Sequence, residues 1–354
     1  MRKLATIQKI EEIKPIDGAD MIEASRVLGW WVVTKKGEFK VGDRCVFFEI
    51  DSLVPKTPAF SFLEKNGSKK ITVMGELDQP NFEVEGYRVR TIRLRKQISQ
   101  GLALPISAFP ELNKEESSYE VGEDVSETLG VYKYENCVGS SLASEAKCSF
   151  PSYVSKTDEE RIQNIYGKVM EIYVGQSFTL TEKIDGTSLT VIRADEEFHV
   201  CSRNLSLKEP EDPMNPKGVY WQEAIRYDFQ NKLPNNFAVQ GEIAGLGVQS
   251  NRLKLDNRFL YIFYVYDIKS AKYLPIDEME SFCSDFGLKT VPVIDKEWIL
   301  TPETTRDKLI NFADGASLLN PQANREGVVW RLNNPDYKFS FKAISNKYLL
   351  KWGE

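Results

Sequence analysis

The sequence predicts two domains of different construction, a small all-β barrel or sandwich followed by an antiparallel α+β domain. Three observations predict them. At about 150 residues per domain, a chain of 354 residues is expected to hold two cores. Residues 1–105 break into short runs rich in β-branched and aromatic side chains, separated by turn signals. Beyond residue 155 strand-like runs follow one another mostly without intervening helices, which favours an antiparallel sheet over a doubly wound one.

In the first domain, residues 4–13 (LATIQKIEEI) form the first strand candidate and run into a Pro-x-Asp-Gly turn at Pro15–Gly18. MIEASRVLGWWVV, a turn around Gly37 and CVFFEIDSLV follow, and a basic strand, YRVRTIRLRK, begins at Tyr87. Among small antiparallel barrels and sandwiches, an OB-like barrel is the first choice. From 109 to 155 the chain turns polar and loses periodicity, so a loop-rich boundary is placed at 135–152, with domains at 1–140 and 150–354. Thr157 followed by Glu160 has the form of a capping box and predicts a helix from Asp158 to Met170. Strands are then expected at 177–184, 187–194, 198–203, 236–244, 259–268, 326–332 and 337–344, and helices at 219–232, 276–286 and 303–313.

Composition narrows the function. The balance of 46 Lys plus Arg against 52 Asp plus Glu gives −6, and 42% hydrophobic content is ordinary for a globular chain. One histidine, His199, excludes chemistry that needs two imidazoles and reads as a structural strand residue. The five cysteines (45, 137, 148, 201 and 283) form no CxxC pair, which points to reduced thiols in a cytoplasmic or nuclear setting. The sequence holds no apolar run of ~18 residues and no signal-peptide core at its start, so no membrane partner is expected. A net negative sum still leaves room for a local basic surface that binds nucleic acid.

The stretch TEKIDGTSLTV (181–191) carries the chemistry. Residues two apart on an extended segment share a face, so Lys183 and Asp185 point together. Gly186 follows where backbone must turn or let another group approach. A lysine amine is a nucleophile only when neutral, against an ordinary pKa near ~10.4. A hydrated Mg²⁺ held beside Asp185 would favour that form and offset phosphate charge. Alone, Lys-x-Asp-Gly also suits a surface turn.

Its company is more specific. Lys183-Ile184-Asp185-Gly186, Ser202-Arg203-Asn204, Gln240-Gly241-Glu242, Tyr264-Val265-Tyr266-Asp267, Arg325-Glu326-Gly327-Val328-Val329 and Phe341-Lys342-Ala343-Ile344-Ser345 resemble, in order, motifs I, Ia, III, IIIa, IV and V of the covalent nucleotidyltransferases. That superfamily holds ATP-dependent DNA and RNA ligases and mRNA-capping guanylyltransferases. The resemblance implies an ATP-grasp-like ligase core in which Lys183 attacks the α-phosphorus of ATP and carries AMP. It places Asp185 and Glu326 at waters of a Mg²⁺ or Mn²⁺ ion, Glu242 at the ribose hydroxyls and Tyr266 on the adenine face. Arg203 is placed at phosphate, Asn204 near the ribose, Lys342 at the α-phosphate, and Glu182 among the nucleotide-binding residues. Tyr264 and Tyr266 also suit the core of a central strand, and Arg203 a strand end. Motif V commonly has two lysines one residue apart; here Ser340 stands in the first position, leaving Lys338 or Lys347 as the second cation.

Only twelve residues follow Lys342, so the C-terminal OB domain of DNA ligases and capping enzymes is not expected. With an N-terminal extra domain and FPSYVSKTDEERIQN before the motifs, the chain resembles the nick-sealing class called RNA ligase 5. That resemblance implies three nucleotidyl transfers ending in 3′-OH/5′-phosphate sealing of nicked duplex RNA or an RNA/DNA hybrid, by a monomer, in RNA repair. Ribonucleotides on the 3′-OH side would be read through the 2′-OH. Arg88, Arg90, Arg93, Arg95 and Lys96 are candidate nucleic-acid contacts, although the parity change after Arg90 keeps one flat strand from presenting them together. They equally suit a charged edge strand. Trp30 and Trp31 must face opposite ways on a strand, so at least one belongs to the core. The other readings are a capping guanylyltransferase, a DNA ligase, or a non-catalytic OB-fold nucleic-acid-binding protein.

Overall fold

A computed structural model describes residues 3–73, 82–134, 145–334 and 337–352. The chain divides into two compact units, residues 1–140 with 349–354, and residues 141–348. Residues 135–144 of the expected 135–152 boundary, Cys137 among them, lie outside the described residues.

The first unit is built on an antiparallel five-stranded sheet in the order Leu102–Leu104, Arg44–Phe48, Ala5–Pro15, Ile22–Val27, Trp30–Lys35. Its long first strand serves two partners. Residues 5–9 pair with Arg44–Phe48 and residues 10–15 with Ile22–Val27, with the register slipping between Ile10 and Glu12. Such a bulge bends a strand so that the sheet can curl. A second sheet, Tyr132–Lys133, Ser52–Pro55, Phe82–Arg88 and Lys69–Val73, lies beside it in sequence order 4-1-3-2. Ile7, Val46, Phe48, Val54 and Phe60 share the core, with the Phe48 and Phe60 rings edge-on at 5.1 Å. Trp30 is buried, whereas Trp31 is half-buried beneath Lys14, whose Nζ lies 3.8 Å from the ring centroid.

The basic segment is not one strand. Phe82–Arg88 ends, and Thr91–Leu94 opens a separate hairpin with Gln97–Gln100. Arg95 and Lys96 form its two-residue turn at φ 47° and 69°, the positive pair a twisted hairpin requires. The break supplies the parity change, and Arg90, Arg93, Arg95 and Lys96 are exposed. Arg88 instead forms a 2.8 Å ion pair with Asp51.

The second unit holds two mainly antiparallel sheets. The larger runs Ala146–Ser149, Leu205–Leu207, Glu197–Cys201, Thr187–Ala194, Phe237–Ala244, Phe259–Asp267, Lys272–Tyr273, with Lys289–Thr290 parallel to Phe259–Asp267. The smaller runs Glu160–Arg161, Ser340–Ile344, Gly327–Leu332, Ser177–Lys183, Val293–Ile299. Helices Val219–Arg226 and Ile276–Asp285 bury Trp221, Ala224, Met279 and Cys283 against one face of the larger sheet. Helices Ile162–Ile172 and Arg306–Phe312 likewise cover the smaller sheet through Ile162, Val169, Leu309 and Ile310. The sheets meet between Tyr264 and Ser340, whose hydroxyls lie 3.2 Å apart.

Three local expectations are corrected. The helix starts at Ile162 with no side-chain cap, not at Asp158, because Asp158 and Glu159 are bonded to residues of the facing sheets and Glu160–Arg161 pair with Phe341–Lys342. The helix expected at 219–232 is split where Asp228 takes the left-handed conformation at φ 55°. Within the expected linker, Ala146–Ser149 forms a strand against Leu205–Leu207. His199 is buried between Ser206 and Glu197, both at 2.9 Å, as a structural residue should be.

Candidate active site

Lys183 is the last residue of Ser177–Lys183 and pairs in register with Gly327. The residue before Gly327, Glu326, thereby comes alongside, and Lys183 Nζ donates to Glu326 Oε2 at 2.7 Å. Past Lys183 the chain crosses to the larger sheet through Asp185 and Gly186. A Cβ on Gly186 would collide with the Ile243 carbonyl oxygen and the Glu242 side chain. This close approach explains the glycine, and it brings Glu242, opposite Ser188 in the ladder, up to the lysine. Gly327 is required for the same reason, its missing Cβ facing the Ala343 carbonyl.

Three carboxylates therefore face one ammonium. Burial pulls the Lys183 amine down, but Glu326, Glu242 and Asp185 together outweigh it and hold it above its ordinary value. Glu242 is pushed up to about 8, first by burial and then by Glu326 and Asp185, with Lys183 opposing. Asp185 lies 3.8 Å from the guanidinium of Arg252, which donates to the Tyr348 hydroxyl at 2.7 Å.

Cations lie beyond the carboxylates. Lys342 projects from Ser340–Ile344 and is lowered to about 8, mainly by burial, with nearby Lys183 and Arg161 adding to the effect. Arg203 follows the strand Glu197–Cys201. Asp158 bridges the two, taking Arg203 Nη2 at 2.5 Å and Lys342 Nζ at 3.1 Å. Asn204 Oδ1 accepts from Lys156 at 3.1 Å. The half-buried Tyr266 ring lies 4.7 Å from that of Tyr273.

The structure thus brings together Lys183, Asp185, Glu242, Glu326, Arg203 and Lys342. Glu182 sits on the opposite face of its strand, buried, its carboxylate accepting from the Leu318 N–H at 2.7 Å. Of the two alternatives for a second cation, Lys338 lies 4.4 Å above the Tyr264 ring and 4.3 Å above Tyr273. Lys347 is exposed, 4.0 Å from Asp314. Tyr264 is buried and donates to Glu159 at 3.0 Å, the core role its strand allowed. The basic residues from Arg88 to Lys96 belong to the first unit. Sequence reasoning misses Asp158, Glu159 and Arg252 as members of the site. Asp158 and Glu159 carry the local signature of a helix start, and nothing near Arg252 in the chain marks it.

Among the described residues no three His, Cys, Asp or Glu side chains converge as a metal cage. Asp185 and Glu326, facing a single lysine, suit instead a divalent cation that keeps most of its waters. No described helix is long and apolar enough to cross a membrane.

Known proteins share both the domain order and the fold. Residues 4–106 match an OB-fold domain family and residues 176–344 the RNA ligase family. The whole fold is similar to Naegleria gruberi RNA ligase solved with PPi, at 41% identity and TM-score 0.83, covering 99% of this chain and 98% of that one. A mutant of that ligase solved with ATP and Mn is 40% identical, with TM-score 0.83 and 98% of each chain covered. Another, solved with AMP and Mn, gives 41%, 0.83 and 98% of each. A search of curated proteins gave no match. The N-terminal barrel is an OB fold, and the antiparallel α+β unit has the fold of the ligase catalytic domain.

Proposed function

The chain belongs to the RNA ligase family, and from that premise we propose how its residues divide the work of an ATP-dependent RNA ligase that passes through a covalent AMP intermediate. Lys183 is the nucleophile. The observation that carries this is its amine, 2.7 Å from Glu326 and faced by Glu242 and Asp185, with Lys342 and Arg203 beyond. Nζ forms a bond to the α-phosphorus of ATP, the bond to the bridging oxygen breaks, and pyrophosphate leaves. AMP is then passed to a 5′-phosphate, and a 3′-OH displaces it to close the strand.

Each neighbour answers a requirement of that sequence. The attacking amine must be neutral, and the carboxylates that hold it protonated in the nucleotide-free protein are those a cation would compensate. Asp185 and Glu326 would hold Mg²⁺ or Mn²⁺, which would supply positive charge against both carboxylate and phosphate. Glu326 receives the Lys183 proton through their existing hydrogen bond. Lys342 and Arg203 offset charge that builds on the phosphates as pyrophosphate leaves, Arg203 with two parallel N–H donors. Glu242 accepts from the ribose hydroxyls, Asn204 lies near the ribose, and Tyr266 offers the face of its ring to adenine. Glu182 has the supporting role of fixing the strand below Lys183 to the loop at Leu318.

The substrate is a nick in duplex RNA or in an RNA/DNA hybrid, sealed by a monomer. The free Cys45, Cys148, Cys201 and Cys283 favour a reducing, cytoplasmic or nuclear setting. The exposed hairpin carrying Arg90, Arg93, Arg95 and Lys96 supports phosphate contact by the OB unit. Nicked duplexes that differ only in the sugar at the 3′-OH terminus test this reading. Sealing is expected with a terminal ribonucleotide and to fall sharply with a deoxynucleotide; equal rates on an all-DNA nick would overturn the assignment of substrate.

A further inference from the structure

The segment Lys156–Glu159 has no regular structure, yet every one of its side chains is bonded to the larger sheet or a loop within it, and Asp158 and Glu159 reach the smaller sheet as well. Lys156 reaches Asn204 at 3.1 Å, Thr157 meets Ser188 at 3.2 Å, and Glu159 takes the Tyr264 hydroxyl at 3.0 Å. Asp158 sits between them with one carboxylate oxygen on Arg203 and the other on Lys342. A carboxylate bridging a guanidinium and an ammonium makes the contacts that a phosphate would make, charge-assisted and directed from two sides. The two cations are otherwise too costly to leave facing each other in a partly buried cleft: Lys342 is already lowered by burial and by Lys183.

We infer that Asp158 is an internal stand-in for a nucleotide phosphate, holding Arg203 and Lys342 in place in the nucleotide-free protein and giving way when phosphate arrives. The inference rests on the reading of Arg203 and Lys342 as phosphate ligands. Asp158 is suited to leave. Its side chain is 44% exposed, as is that of Arg203, so water can take over its hydrogen bonds, and no helix or strand hydrogen bonds hold its backbone. A phosphate with more charge than a carboxylate then outcompetes it. Asp158 is in this sense a positioning residue that sets how tightly the site holds phosphates, including the pyrophosphate that must depart after the first step. A weak internal competitor keeps pyrophosphate from lingering, and the same competition weakens ATP binding.

Calorimetric titration of the full chain with inorganic pyrophosphate, without ATP, tests this on wild type, Asp158→Asn and Arg203→Ala. Asparagine keeps the shape and removes the charge. With the competing carboxylate charge removed, Asp158→Asn should bind pyrophosphate about 3- to 10-fold more tightly, and the KM for ATP in self-adenylylation should fall in parallel. A gain of affinity is a result that damage to folding does not produce; Asp158→Ala provides a second route to it should the asparagine form new bonds. Unchanged or weaker pyrophosphate binding in both Asp158 variants, with Arg203→Ala losing affinity, would overturn the stand-in role and leave the phosphate reading intact. Undiminished binding by Arg203→Ala would overturn the phosphate reading and the stand-in role with it.

Discussion

Replacing Glu242 with glutamine should make the nucleotide-free protein more stable, by a margin that opens above about pH 4.5 and widens up to about pH 8. Glu242 is held at about 8 against an ordinary 4.5, chiefly by burial, then by the neighbouring Glu326 and Asp185. Between those two values the folded protein keeps a proton that the unfolded chain has released. Stability contributed by Glu242 therefore falls as pH rises through this window. The full shift corresponds to at most about 5 kcal/mol at ~1.4 kcal/mol per unit, and relaxation of a half-buried site reduces this to about 2 kcal/mol. For a unit of this size that is about 4–8 °C in Tm. Thermal unfolding of wild type and Glu242→Gln in chelator is the assay. At pH 4, where Glu242 is mostly neutral in both the folded and the unfolded chain, the two should melt nearly together; the gap should grow through neutral pH and be fully open at pH 8.5. Added Mn²⁺ should close the gap by compensating the carboxylates in wild type. A variant that is less stable at pH 8.5, or a difference that does not change with pH, would refute the picture of three carboxylates crowding one lysine.

Two other outcomes follow from the same geometry. Gly186→Ala places a methyl group against the Ile243 carbonyl and the Glu242 side chain, and backbone cannot yield as a side chain does. A loss of about 1–3 kcal/mol and of covalent labelling is expected, measured by denaturant unfolding and an adenylylation assay; wild-type values for both would contradict the close crossing. Charge reversal at Arg93 and Arg95, exposed on the hairpin of the first unit, should leave self-adenylylation unchanged while weakening RNA binding. The slope of log K against log salt should shrink by about one for every phosphate the variant no longer neutralises, and an unaltered slope would remove the hairpin from the interface.

Much of this arrangement is legible in the sequence, for physical reasons that differ by element. The strands around Lys183, Glu242 and Glu326 announce themselves because β-branched runs bounded by Gly, Asp and Asn have few alternatives. The positions of the glycines report close crossings, so Gly186 and Gly327 mark where chain segments converge on the site. The helix at 162–172 shows the limit. Thr157, Asp158 and Glu160 satisfy the local rule for a helix start, but Asp158 and Glu159 gain stronger, charge-assisted partners in Arg203, Lys342, Tyr264 and Ser340. Tertiary contacts win over a cap worth about 1 kcal/mol. Arg252 is legible by no local pattern, since its partners Asp185 and Tyr348 lie 67 residues before it and 96 after. The turn at Arg95 and Lys96 has neither Gly nor Asn to signal a positive φ, which is why the basic segment reads as continuous.

Central to the chemistry is Lys183 as the residue that carries AMP. Incubation with α-labelled ATP and Mn²⁺, followed by peptide mapping, tests it most directly. Wild type should acquire one label per chain on the peptide containing Lys183, removable by added pyrophosphate, and Lys183→Met should acquire none while melting as a folded protein. Labelling of Lys183→Met at the wild-type level, or a label mapped to another residue, would contradict it.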